Sequence, residues 1–133
     1  AVQALDTQLF GVERGHILRR LWDEFPELAW VDETNGQLDG FMMGRRMSQT
    51  IHLGPWMSWT TTAAERVLRV AFEQLQGNHV TFNIPDHNGR SLILVRNHNL
   101  KRIRHCTRMI YGDARPVEGE PLTEMAITAL ATG

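Results

Sequence analysis

Few side chains in this sequence are placed to move a proton. His52 is the only ionisable residue between Ile51 and Trp59, in an otherwise apolar run. An imidazole there could accept the proton of an attacking ammonium group, because its ordinary pKa lies near neutrality. A packed core histidine is the plainer reading. Tyr111 is the only tyrosine, and it can serve as an acid only if the last strand carries it back to the apolar run. Asp86-His87-Asn88 lines up three catalytic residue types. Sequence neighbours seldom converge, however, and Asp and Asn after Pro85 are ordinary turn formers. Asn88 reads best as a helix N-cap.

Two places could hold an anion. Trp56-Met57-Ser58-Trp59 runs into Thr60-Thr61-Thr62 and then directly into helix-period sequence. A helix N-terminus offers about four unpaired N–H groups and a partial positive charge, which suits a phosphate. Thr60 and Thr61 add hydroxyl donors; alternatively, Thr62 simply caps its own helix. The second place is Lys101, Arg102, Arg104, His105 and Arg108. If residues 101–111 form a strand, Arg102, Arg104 and Arg108 share one face, since side chains alternate. A solvated, salt-bridged face is the default for such a row, and anion binding is its functional alternative. The six histidines show no HxH or HxxxH spacing and the single cysteine, Cys106, cannot build a thiolate site. No metal is expected.

The elements that would position these residues follow from periodicity. Val2 to Leu5 reads as a short strand. Between 12 and 25, Ile17, Leu18, Leu21, Trp22 and Phe25 mark one face of an amphipathic helix, stopped by Pro26. Residues 28–33 and 38–47 are apolar runs joined by Asn35-Gly36, a pair suited to the positive φ angles of a type I′ turn, and predict an antiparallel hairpin. Residues 50–59 predict a third strand. Gly54-Pro55 interrupts it and calls for a bulge or an edge, because proline cannot donate to a ladder. Thr62-Ala63-Ala64-Glu65 has the form of a capping box, and a helix is expected over 63–76 with Gly77 as its stop.

Residues 79–84 read as a strand, Asn88 caps a helix over 90–98, and Asn99-Leu100 closes it. Residues 125–130 are apolar and are assigned no secondary structure. Such an order predicts an α/β domain, more closely α+β, with a mostly antiparallel sheet, one parallel pair and helices on both faces.

Composition bounds the rest. A chain of 133 residues fits one domain, 1–133. A formal charge of −1 gives no global attraction for nucleic acid or an anionic membrane. No apolar run reaches the roughly 20 residues of a membrane span, and the lone cysteine suits a reducing, cytoplasmic setting. The first residue is Ala1 rather than Met, which fits a processed product or a piece of a longer protein.

The strand-helix unit, with Asn88, Ser91, Leu94 and Asn99-Leu100, resembles the acyl-CoA-binding half of the GNAT (N-acetyltransferase) superfamily. The likeness continues in order through Asp6, Phe10-Gly11, Arg14, Gly40-Phe41, Arg45-Arg46, Leu53-Gly54-Pro55, Ile84-Pro85, Arg108-Met109, Gly112 and Met125-Ala126-Ile127. Taken together, the set resembles the C-terminal GNAT-like domain of tandem-GNAT acetyltransferases. That resemblance implies a V-shaped splay between the strands 51–59 and 79–84. The pantetheine of acetyl-CoA would pair with backbone in the gap, and its pyrophosphate would sit on the next helix. Cofactor contacts then fall on Trp56, Met57, Ser58, Trp59, Thr60, Thr61, Thr62, Ala63 and Asn88, with His52 as a candidate base.

The implied function is acetyl transfer from acetyl-CoA to an unidentified amine by direct attack on the thioester. A backbone oxyanion donor near Met57 or Ser58 would carry more of it than side-chain acid catalysis. Two family features are missing. Ser58 to Ala63 stands where the glycine-rich loop belongs, and Val95 stands where many members carry an acidic tyrosine. The alternative is therefore a catalytically silent GNAT-like module, serving as a substrate lid, an interface or a CoA sensor for an active N-terminal half, a second GNAT-like domain or a second copy of itself. A weaker option is a small anion- or nucleotide-binding domain using the Arg102/Arg104/Arg108 face.

Overall fold

A computed structural model describes residues 1–107 and 124–127. Helices α1 (Val2–Phe10) and α2 (Gly15–Glu24) lead through a 3-10 turn, Pro26–Leu28, into strands β1 (Ala29–Thr34), β2 (Gln37–Arg46) and β3 (Ile51–Ser58). Helix α3 (Thr61–Gln74), strand β4 (Val80–Phe82), helix α4 (Gly89–Asn97) and strand β5 (Glu124–Ala126) follow. The sheet runs β1-β2-β3-β4 with β5 also on β3. Among the described residues only the β3–β4 pair is parallel.

Alternation along β2 and β3 builds a core on each face. Met42, Leu53 and Trp56 meet Val67, Leu68 and Ala71 of α3, with Leu94 and Val95 of α4. Phe41, Met43 and Met57 meet Leu5 and Leu9 of α1 and Leu18 and Leu21 of α2. Asn35 and Gly36 have φ of 54° and 79°, as the expected hairpin turn requires. Opposite Gly54-Pro55 the β2–β3 register shifts between Met42 and Gly44, so one extra β3 residue is absorbed where Pro55 lies. The bulge moves the core-facing positions from Ile51 and Leu53 to Trp56, while Met57 faces the other core.

Three expectations are corrected. Val2 to Leu5 is not a strand but the start of α1, whose Leu5 and Leu9, spaced by four, are buried and whose end is Gly11 at φ 85°. Thr62 is not the cap of α3. Thr60, extended at φ −126° and ψ 154°, accepts the N–H of Ala63 at 3.1 Å, so the helix begins two residues earlier. Residues 101–107 form no strand. They are tied instead to the β4–α4 turn, where Asp86 binds Arg102 and, at 2.8 Å, His105. Arg108, Met109, Tyr111 and Gly112 lie outside the described residues.

Candidate functional site

β3 and β4 begin as neighbours and then separate. Ile51, His52 and Leu53 pair with Val80, Thr81 and Phe82. Past the bulge, Trp56 and Met57 pair with Ala126 and Glu124 of β5, and Asn83 just beyond β4 bridges Ile127. The two parallel strands therefore open into a V, and residues 124–127 lie in it. The Ile127 N–H donates to the Asn83 carbonyl at 2.9 Å. Met125 and Ala126 are 1% and 0% exposed.

Asn88 joins this filling to the helix behind it. Its Oδ1 accepts the N–H groups of Arg90 and Ser91 at 3.1 and 3.2 Å, capping α4. Its Nδ2 donates to the Glu124 carbonyl at 2.9 Å and approaches the Met125 sulfur at 3.5 Å. Ser91 Oγ closes the cap by donating to the Asn88 carbonyl at 3.1 Å. Asparagine suits the position because its amide both accepts and donates. The side chain is wholly buried. At the far end of α4, Asn99 takes φ 63°, and the Leu100 N–H returns to the Val95 carbonyl at 3.0 Å.

Residues 2–122 match the family model of the acetyltransferase (GNAT) domain. The chain belongs to the GNAT acetyltransferase family. A candidate acetyltransferase from Pyrococcus horikoshii has the same fold, with a TM-score of 0.75 at 24% identity. The match covers 99% of this chain and 42% of that one, so this GNAT chain spans less than half the length of that protein. No curated protein matches the sequence.

Against the family layout, the expected contact residues fall into separate groups. Trp56 and Met57 lie beside the V, with backbone paired to β5. Trp56 is fully buried and packs on Phe82, ring centroids 5.8 Å apart. Ser58 turns its hydroxyl over Gly40 of β2, into space that a Cβ there would fill. Trp59 joins the opposite core beside Met57. Thr60 spends its hydroxyl on the α3 cap, Thr61 is half-buried, Thr62 is exposed and Ala63 is buried beneath the first turn. His52 is 4% exposed, with Nδ1 3.2 Å from Thr81 Oγ1. It pairs across to Arg45, upstream of the bulge and away from the β5 contacts. Val95, 7% exposed, is core.

Periodicity gave no sign of the Asp6–Arg14 pair. Arg14 clamps Asp6 through two hydrogen bonds of 2.9 and 2.8 Å, both side chains nearly inaccessible, and stacks 3.6 Å above the Phe10 ring. This pair ties α1 to the start of α2. Arg66 of α3 binds Asp32 of β1 through two 2.6 Å bonds, and that carboxylate raises the arginine pKa above its ordinary value. Both pairs lie outside the V. Among the described residues no group of His, Cys, Asp and Glu could hold a metal, and no described helix is long and apolar enough to cross a membrane.

Proposed function

We propose that this GNAT domain, residues 1–133, is the closed half of a two-half acetyltransferase. It shapes or regulates the enzyme, while an active GNAT half takes acetyl-CoA and acetylates an amine. The observation that carries this reading is residues 124–127 occupying the β3–β4 gap. A pantetheine arm would need the backbone at Met57, now paired with Glu124, and the Asn88 amide, now given to the Glu124 carbonyl. Two further features support it. Val95 can neither donate nor accept a proton, and the start of α3 has no glycine to admit a pyrophosphate closely. The length of the P. horikoshii protein, more than twice the matched region, leaves room for another half. Cys106 as the sole cysteine fits a cytoplasmic setting.

Direct transfer by this domain is the second reading, favoured by its intact parallel pair and capped α4. It would work by positioning amine and thioester together, with backbone near Met57 or Ser58 as the oxyanion donor. Calorimetry with acetyl-CoA separates the two. No binding up to millimolar concentration is expected for a closed half; micromolar binding by the unaltered chain overturns it in favour of direct transfer.

A further inference from the structure

We propose that Arg45 anchors a carboxylate-binding site, set in a polar row that crosses three strands on the sheet face covered by α1 and α2. The ligand it fits is a small molecule carrying one carboxylate. The proposal is independent of whether this half takes acetyl-CoA.

The row follows from register. Arg45 of β2 pairs with His52 of β3, and His52 pairs with Thr81 of β4. Side chains directly opposite one another share a face, with Cβ atoms about 5 Å apart. Alternation along each strand decides which face that is. Phe41 and Met43 lie in the core under α1 and α2, so Arg45, two residues further on, points the same way. Ile51 and Leu53 lie in the opposite core, which leaves His52 on the Arg45 side. His52 is 4% exposed, with its Nδ1 3.2 Å from Thr81 Oγ1. The bulge at Gly54-Pro55 separates this row from the pairs that β3 makes with β5.

Arg45 carries a charge with no counterpart. Arg14, Arg20, Arg46, Arg66 and Arg102 each bind a carboxylate. Arg45 is half-buried, and among the described residues no carboxylate pairs with it. Its Nε is inaccessible to solvent and has no hydrogen-bond partner. Leaving a buried donor unpaired is costly, and more so when the group is charged. An anion that enters relieves that cost as it binds.

The open edge decides which anion. Arg14 holds Asp6 side-on through Nε and Nη2, at 2.9 and 2.8 Å. Arg66 holds Asp32 through the same two nitrogens, both at 2.6 Å. That is the edge Arg45 leaves unfilled at its Nε. Two parallel N–H groups match the two oxygens of a carboxylate. Charge agrees with shape, since one guanidinium neutralises one carboxylate. A phosphate dianion would bring a second negative charge into a half-buried site where Arg45 supplies one fixed positive charge.

The test follows the Arg45 Nε–H resonance by heteronuclear NMR while the unaltered chain is titrated with sodium acetate, sodium chloride or sodium phosphate at equal ionic strength. Acetate is expected to shift that resonance saturably, and the backbone amides of His52 and Thr81 should follow. Arg45→Lys keeps the charge but loses the side-on edge. It should weaken acetate binding, read at those two amides, at least about tenfold. Arg19→Lys, on the exposed side of α2, should leave binding unchanged. No saturable response to acetate overturns the proposal, as does an equal response to chloride. Phosphate bound more tightly than acetate overturns the assignment to a carboxylate, and full affinity in Arg45→Lys removes Arg45 as the anchor. If near-UV circular dichroism shows that Arg45→Lys has lost its fold, the three titrations of the unaltered chain decide.

Discussion

Replacing Asn88 separates its two duties, because alanine removes both and serine removes one. In Asn88→Ala the Arg90 and Ser91 N–H groups lose their acceptor and the Glu124 carbonyl loses its donor. Loss of a helix cap costs about 1 kcal/mol, and the lost hydrogen bond about 1 kcal/mol more. Serine is a good cap but too short to reach Glu124, so Asn88→Ser forfeits about 1 kcal/mol, the tail bond alone. For a domain of this size 1 kcal/mol moves the melting temperature by about 4 °C. Thermal unfolding should therefore drop about 8 °C for alanine and about 4 °C for serine. Amide exchange assigns the loss to its place. Exchange at Ile127 should quicken in both variants, and exchange at Ser91 only in the alanine variant. If Ser91 quickens in the alanine variant while Ile127 exchanges unchanged in both, Asn88 caps the helix without holding the tail, and the reasoning fails.

Other perturbations test the frame around the gap. Asp6→Ala strands the buried Arg14 guanidinium and should cost about 3–5 kcal/mol in urea denaturation, most of it recovered by adding Arg14→Met. Gly40→Ala places a Cβ on Ser58 Oγ and 3.1 Å from the Met57 carbonyl. It should cost about 1–3 kcal/mol, and Ser58→Gly in the same chain should relieve part of it. Asp86→Ala unties Arg102 and His105. Residues 101–107 should then become open to limited proteolysis, while global stability changes by less than about 1 kcal/mol, as for exposed ion pairs.

What was legible in the sequence was local. Asn35-Gly36 dictates its turn, Asn88 its cap and Asn99 its left-handed stop, because each depends on a few neighbouring residues. Pro55 announced a break in β3 for the same reason. The order of elements from α2 to α4 followed from periodicity, and with it the parallel pair. The misses depended on distant partners. Three consecutive threonines have nearly equal capping chemistry, and the choice of Thr60 was made by where β3 ends against β2. Helix α1 hid because its apolar positions, Val2, Leu5 and Leu9, are few and its burial comes from the sheet. β5 was missed most completely. Three residues carry no readable period, and its partners lie about seventy positions earlier.

The gap filled by β5 also gives one physical reason for both departures from the family pattern. With Met125 and Ala126 buried against the same core as Leu94 and Val95, the environment of position 95 is apolar and closed. A tyrosine there would have to fit its ring into filled space and find a partner for its hydroxyl, and an unsatisfied buried hydroxyl costs about 1–3 kcal/mol. Valine meets neither demand. The start of α3 changes in the same direction. Glycines let a phosphate approach backbone N–H groups closely; here a threonine caps the helix with its own side chain instead. Val95 and Thr60 thus agree with a domain whose cleft is occupied by its own chain. Residues 124–127 pair with backbone on both walls of the V, β3 and the extension of β4. They also seal its apolar interior, since Met125 and Ala126 are buried in the same core as Leu94 and Val95.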